Sequence, residues 1–307
     1  MKPIVFVALA LSTCHALASY ELLYVVDRAT TGTKVHRFDG DTGAYLGGFG
    51  VDLTGNANGI AVNSKGEVFV SDYKKVFVYN GSTGGLLREL TTTFTDLTNL
   101  SLASNGDLLV CGFQSGAFRL NSNTGAILAA YVQPSGGAGM SGIYQGPSGH
   151  IYAGIRGINK VQRYFWTGGA DTLSSTTDTL SDCLYGGQSG DVVYQPNGTG
   201  SKVVRYDIST SPAAVMTSLN FSGLGAFAVT GVAAGHGNRM FMSVWGSSNS
   251  YIQRFDKNDG SLRGSFGSSV LKNPVNMVAV VAPEPSSLIV LGAAFGLTAI
   301  SRRRRAR

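Results

Sequence analysis

Arg37-Phe38-Asp39-Gly40-Asp41-Thr42-Gly43 decides the fold, because the chain keeps returning to it. The pattern recurs as Val78-Tyr79-Asn80 to Gly84, Arg119-Leu120-Asn121 to Gly125, Arg163-Tyr164-Phe165, Arg205-Tyr206-Asp207 and Arg254-Phe255-Asp256 to Gly260. The starting positions 37, 78, 119, 163, 205 and 254 lie 41, 41, 44, 42 and 49 residues apart. A sustained period of this size marks a protein assembled from supersecondary units, none of which can bury its apolar face alone.

Each copy is preceded by a run that alternates or is continuously apolar, as half-buried strands do: residues 22–27, 67–72, 107–112, 150–155, 191–196 and 239–244. A further strand ending in a glycine-containing turn stands upstream of five of these, at 59–63, 100–104, 142–146, 183–187 and 231–235. Three or four short strands in about 42 residues make a propeller blade. The first unit lacks its upstream strand, and residues 275–282 repeat the pattern after the sixth. Pairing 277–281 with 22–26 would close the ring and remove two sheet edges that would otherwise recruit other chains. The expected fold is all-β: a six-bladed β-propeller over 19–282, closed by a C-terminal strand.

The ends of the chain read differently. Lys2 opens a positive segment, residues 4–11 are apolar, and Ala16-Leu17-Ala18 supplies the small residues that signal peptidase needs, so 1–18 reads as a signal peptide. A lipoprotein leader would use Cys14, but Thr13 precedes it where a smaller residue is expected. At the other end Pro283, Glu284 and Pro285 introduce an apolar run that stops at Arg302, Arg303, Arg304 and Arg305. The 16 residues 286–301 make about 24 Å of helix, a short transmembrane span against about 30 Å of hydrocarbon. The arginines are costly to translocate and should stay cytoplasmic, leaving the propeller outside.

Composition means little until these ends are removed. Taking Lys2, Arg302, Arg303, Arg304, Arg305 and Arg307 from the net charge of +6 leaves residues 19–301 neutral. The basic balance is therefore a topology signal, and nucleic acid is excluded as a partner because its phosphates demand a basic stripe on the folded body. Only Cys111 and Cys183 remain after the leader, too few for a disulfide framework, and two buried thiols are expected.

Two resemblances follow. The ordered Pro-Glu-Pro, apolar helix and arginine cluster of 283–307 resemble the PEP-CTERM sorting tail of Gram-negative bacteria. That resemblance implies delivery to an exosortase, membrane anchoring through the C-terminal helix before processing, and a destination at the cell surface or in an exopolysaccharide matrix. The blades, through Asn58-Gly59-Ile60-Ala61-Val62-Asn63-Ser64-Lys65-Gly66-Glu67-Val68-Phe69-Val70-Ser71-Asp72 and Phe38-Asp39-Gly40-Asp41-Thr42-Gly43, resemble NHL-type and gluconolactonase-like six-bladed propellers. In the lactonase relatives a carboxylate and several Asn or Asp residues hold a divalent cation at the channel mouth. No equivalent of their catalytic glutamate is evident here, since Glu21 falls at the start of a second strand, and no catalytic residue is assigned.

One polar residue heads each innermost strand: Asn58, Asn99, Ser141, Asp182, Thr230 and Asn276. They are the candidate ligand or metal residues. Calcium takes six to eight oxygens, but only Asp182 carries charge, and mutual hydrogen bonding is the competing reading. The segments at Asp39 and Asp256 look like half of a calcium loop without its bidentate Glu, and hairpin turns with glycine at positive φ explain them. His36 falls within a strand, and His150 and His236 fall at matching turn tips, so the histidines do not cluster. No Gly-x-Ser-x-Gly elbow occurs. The dinucleotide-like Gly137-Ala138-Gly139-Met140-Ser141-Gly142 leads into a strand instead of a helix.

The recurrent aromatics Phe69, Phe77, Tyr79, Phe118, Tyr152, Tyr164 and Phe255 are expected in the inter-blade core. Trp166, in a turn, and Trp245, just past a strand, stand where an indole could stack on a saccharide. Two functions of different class remain: a non-catalytic surface propeller binding polysaccharide or a matrix protein, and a metal-dependent lactonase or lyase of the gluconolactonase or streptogramin-lyase type.

Overall fold

The computed structural model describes residues 19–283, apart from 30–31, 51–52, 54–56, 93, 95, 134–135, 137–138, 157–159, 174–186, 190–191, 197–201, 211–213, 221–227 and 247–248. The chain divides into two compact units, Glu21–Val280 and a second made of Met1–Tyr20 with Val281–Arg307. Of the second unit only 19–20 and 281–283 are described, as strand ends. The signal peptide and sorting-tail residues Ala16, Ala18, Glu284, Pro285, Arg302, Arg303, Arg304 and Arg305 lie outside the described residues, and Pro283 is the last residue of a strand.

Six sheets form the body. The first blade contains β1 (Ser19–Ala29), β2 (Gly32–Asp39) and β3 (Tyr45–Phe49), and the second β4 (Ala57–Val62), β5 (Glu67–Asp72), β6 (Lys75–Asn80) and β7 (Leu86–Thr91). The third holds β8 (Leu97–Leu102), β9 (Leu108–Gly112), β10 (Gly116–Leu120) and β11 (Ile127–Tyr131). The fourth holds β12 (Gly139–Gln145), β13 (Ile151–Arg156), β14 (Lys160–Phe165) and β15 (Gly168–Leu173). The fifth is β16 (Gly187–Ser189), β17 (Val192–Pro196), β18 (Lys202–Asp207), β19 (Ala214–Val215) and β20 (Leu219–Asn220), and the sixth β21 (Ala228–Ala234), β22 (Arg239–Trp245), β23 (Tyr251–Asp256) and β24 (Leu262–Phe266).

The last strand, β25 (Pro274–Pro283), completes the first blade in the order β25-β1-β2-β3. Head and tail of the propeller thus share a sheet, as the missing upstream strand required. The junction is fastened by Asp27, whose carboxylate accepts the N–H groups of Lys272 (2.9 Å) and Asn273 (2.5 Å), while Arg28 N–H donates to Asn273 O (2.9 Å). His36 Nε2 stands 3.4 Å from the same carboxylate.

Burial falls from hub to rim. Every residue of β9, Leu-Leu-Val-Cys-Gly, is buried, whereas β24, Leu-Arg-Gly-Ser-Phe, is exposed over its first four. A second strand sits between neighbouring blades and has both faces covered, so it reads as a continuous apolar run; the outermost strand covers only one. Apolar clusters accordingly straddle blade pairs, for instance Leu109, Cys111 and Tyr131 of the third blade with Met140, Ile143 and Tyr164 of the fourth. Burial pushes the Cys111 thiol up to about 12, which makes it inert at neutral pH. Cys183 lies outside the described residues.

The repeat motif itself is a turn. Asp39 Oδ1 accepts the N–H groups of Asp41 and Thr42, Asn80 Oδ1 those of Ser82 and Thr83, and Asn121 Oδ1 those of Asn123 and Thr124. Gly84, at φ 74°, closes one of these turns, where a Cβ would also meet the Phe49 side chain at 2.6 Å. An Asx side chain satisfying its own turn needs no cation, which accounts for the half calcium loops.

Candidate functional site

Of the polar residues singled out, the described Asn58, Asn99, Ser141, Thr230 and Asn276 stand on inner strands, and several of them face sideways. Register slips occur between Ala57 and Ile60, Leu97 and Asn99, Met140 and Gly142, and Val229 and Gly231, each a β-bulge near the start of an inner strand. A bulge re-aims the extra residue, here toward the next blade. Asn58 Nδ2 donates to Leu97 O (3.3 Å), Thr98 Oγ1 to Met140 O (2.9 Å) and Thr230 Oγ1 to Pro274 O (2.5 Å). The equivalent position in the third blade is therefore Thr98 and not Asn99, one residue from the expectation.

Asn99 makes its own tie, donating Nδ2 to Ser141 O (3.2 Å), and Asn276 Oδ1 accepts Met277 N–H (2.8 Å). Asn58 Oδ1 also accepts from Arg28 Nη1 (3.2 Å). Ser141 Oγ is buried and has no partner among the described residues; Asp182 lies outside them.

Further along the same strands a central cavity of about 250 Å³ is lined from all six blades. Its walls are mostly small and apolar, as at Ile60, Ala61, Val232, Ala233 and Ala279. Two of the polar groups on them are again committed: Ser101 Oγ donates to Ile143 O (2.6 Å) and Gln188 Nε2 to Gln145 O (2.7 Å). Among the described residues no carboxylate lines this cavity, and no three His, Cys, Asp or Glu side chains gather into a metal site. A hard cation needs uncommitted oxygens with charge among them, so the described donor set does not fit calcium.

Charge is buried at both ends of the inner strands: Asp27 and Asp72 lie on the side where these strands begin, and a second group lies at the opposite end, where the turn between first and second strands and the turn between third and fourth project. Glu21, only 2 % exposed, meets Arg239 Nε at 2.8 Å and accepts the N–H of His236; Arg239 also pairs with Asp41. Burial pushes the Glu21 carboxyl above its usual range, with the His236 N–H and the Arg239 charge pulling the other way. Glu21 joins the sixth blade to the first, and its carboxylate is occupied by an arginine.

Two arginines of the repeat, Arg37 and Arg254, are clamps of the same kind, which sequence reasoning missed, whereas Arg205 Nε donates to Thr217 O (2.7 Å) within its own blade. Arg37 Nη1 donates to Gly81 O (3.2 Å) and Ser82 O (2.7 Å) in the turn of the next blade; Arg254 Nη1 does so to Gly40 O (3.1 Å) and Asp41 O. Val78 stands at this position in the second blade, and its cross-strand partner Arg88 replaces it, reaching Ser122 O at 3.2 Å. The recurrence of Arg at 37, 119, 163, 205 and 254 was visible in the sequence; its target was not.

The other singled-out residues fall as follows. Phe69, Phe77, Tyr79, Tyr152, Tyr164 and Phe255 are buried, and Phe118 is partly so. His150 and His236 occupy turns that precede β13 and β22. Trp245 is the last residue of β22 and 46 % exposed. Trp166 sits in the β14–β15 turn with the Arg119 guanidinium 3.8 Å from its ring centroid. Gly139 to Gly142 open β12, a strand and no phosphate-binding helix start.

No family model and no curated protein matches this chain by sequence. Solved structures match it by fold. A chain of a nidogen/laminin complex aligns with TM-score 0.67 at 11% identity, over 85% of this chain and 98% of that one. A streptogramin B lyase aligns with TM-score 0.61 at 16% identity, over 86% and 93%. The periplasmic gluconolactonase of Pseudomonas aeruginosa aligns with TM-score 0.59 at 13% identity, over 87% and 100%. The chain is thus a six-bladed β-propeller with structural neighbours of the gluconolactonase and streptogramin-lyase type.

Proposed function

We propose that this chain is an exported, non-catalytic binding propeller that holds a polysaccharide or protein of the cell surface or matrix. The observation that carries the reading is the use of the hub: Asn58, Thr98, Asn99, Ser101, Gln188 and Thr230 hydrogen-bond to carbonyls of neighbouring blades, so the position where lactonase-like propellers keep metal ligands serves here to lock the blades together. A hydrophilic ring bound to its own backbone stiffens a scaffold and leaves little to activate a substrate.

Export and sorting belong to the same proposal. The leader 1–18 takes the chain across the membrane, and the PEP-CTERM-like tail 283–307 holds it by a C-terminal helix until an exosortase acts. The described residues contain no helix long and apolar enough to span a membrane, and the proposed span falls beyond them. One structural neighbour is a periplasmic gluconolactonase, in keeping with an exported propeller.

The alternative, a metal-dependent lactonase or lyase, draws support from the fold of two neighbours. Two measurements separate the readings. Cells expressing the protein with an epitope before Pro283 should carry the tag outside the cytoplasm, and the purified propeller should co-sediment with isolated extracellular matrix. Calcium or zinc should leave the melting temperature unchanged; a saturable rise that disappears in Asp182→Ala would turn the assignment to the enzyme.

A further inference from the structure

The turn-bearing face carries a cleft of about 460 Å³ between the third and fourth blades, within the range of small-ligand sites. Ser104 and Asn105 enter from the β8–β9 turn, Gln145, Ser148 and His150 from the β12–β13 connection, and Phe165 and Trp166 from the β14–β15 turn. We propose that this cleft binds a neutral saccharide chain, with Phe165 and Trp166 as its stacking platform; the assignment rests on the binding reading above and names the site and ligand class.

The fourth blade departs from the repeat where the cleft forms. Asp39, Asn80, Asn121, Asp207 and Asp256 head the corresponding segments of the other blades, and Phe165 replaces them in the fourth. An Asx there caps its own turn, so Phe165 gives up a local hydrogen bond and leaves a large apolar ring 48 % exposed. The clamp from the preceding blade changes with it. Arg37 and Arg254 reach turn carbonyls, whereas Arg119 lies over the Trp166 ring. The Trp166 carbonyl is held by the Tyr131 hydroxyl at 3.0 Å, and the Arg119 charge is accompanied by Asp107 at 3.6 Å. The indole is therefore set in place before any ligand arrives, which reduces the ordering cost of binding.

The polar lining completes the match. Gln145 Oε1 accepts Ser104 N–H at 2.7 Å, fixing the amide across the two blades and leaving its Nε2 group as a donor. Ser148 Oγ and His150 Nδ1 are 2.9 Å apart, and the His150 ring lies 5.7 Å from that of Phe165. A pyranose has an apolar C–H face and a rim of hydroxyls, which suits aromatic rings beside amides and hydroxyls. Among the described residues no Asp, Glu, Lys or Arg lines the cleft, which favours a neutral sugar over a uronate.

The chain has two tryptophans, so Trp245→Phe leaves Trp166 as the sole indole reporter. In that background cellohexaose, mannohexaose and xylohexaose are titrated while Trp166 emission is followed, with hexaguluronate and a proline-rich decapeptide as competing classes. The expected result is a saturable emission change with at least one neutral hexasaccharide and none with the other two classes. Phe165→Ala and Gln145→Ala should each weaken it by about tenfold, with the melting temperature unchanged in the first and the cooperative unfolding transition kept in the second. No saturable change with any neutral hexasaccharide, undiminished affinity in both variants, or preferential binding of the uronate or the peptide overturns the proposal. Matrix co-sedimentation retained by Phe165→Ala would remove the cleft and keep the binding reading; failure of the unmodified protein to co-sediment would remove that reading instead.

Discussion

The two ends of the inner strands carry similar residues in different settings. Where the strands begin, Asn58, Thr98 and Thr230 sit at bulges and turn onto the next blade; where they end, Gln145 and the turns beyond it open into a cleft with Ser104, Asn105, Phe165 and Trp166. At the hub these amides and hydroxyls are spent on backbone carbonyls of the next blade. At the hub, strands approach closely enough for carbonyls to win. At the turns Arg37, Arg254 and Glu21 still reach across blades, but between the third and fourth blades Phe165 is left exposed beside the cleft.

The tightness of the hub gives the largest expected effect. A Cβ on Gly59 would stand 2.7 Å from Leu100 N and 2.8 Å from the carbonyl carbon of Asn99, both backbone of the next inner strand, which cannot move without shifting a blade. Gly59→Val should cost about 3 kcal/mol in urea unfolding. An unchanged midpoint would mean that the hub is slack, and the contrast between the two ends would collapse. Thr230→Val keeps the shape and deletes the tie to Pro274 O, which should cost about 1 to 2 kcal/mol, again by urea unfolding, without creating any response to calcium.

The acid–arginine pairs sharpen the comparison by pH. Glu67 accepts from Arg88 Nη1 at 2.7 Å, and that hydrogen bond holds its carboxyl below 4.5; its contribution is present above pH 4.5 and lost as pH falls through the lowered value. Glu21 is raised above 4.5 by burial, so its contribution is present below pH 4.5 and lost as pH rises through the raised value. Measured across pH by chemical denaturation, Glu67→Gln should fall behind the unmodified protein as pH rises, and Glu21→Gln should gain on it. Parallel profiles would mean that the two junctions share one environment. The smallest effect is expected from Trp245→Phe, at the exposed end of β22, within about 0.5 kcal/mol in thermal unfolding.

Much of the architecture was readable because it depends on local pattern repeated six times. Strand β5 coincides with the expected 67–72, and β25 closes the first blade as the absent strand demanded. Strand β16 starts at Gly187, the last residue of the expected 183–187, while β4, β8, β12 and β21 begin two or three residues earlier than their apolar content suggested, since the bulges interrupt the alternation that marks a strand. That interruption also displaced the ring by one residue, from Thr98 to Asn99. The cleft was only half legible: Trp166 stood out in its turn, but Ser104, Gln145 and Phe165 belong to different blades, and no spacing along the chain announces that they meet.

By itself the sequence determined the blade count, the shared first sheet and the turn chemistry, because each rests on contacts within one repeat or on a missing piece that only the other terminus supplies. Tertiary structure decided the fate of the polar residues. Whether Asn58 ties or ligates, whether Arg119 grips a carbonyl or an indole, and whether Glu21 is charged cheaply all depend on the neighbouring blade, since hydrogen-bond partners and desolvation are set by what lies across a gap of a few ångströms, about 40 residues or more away along the chain.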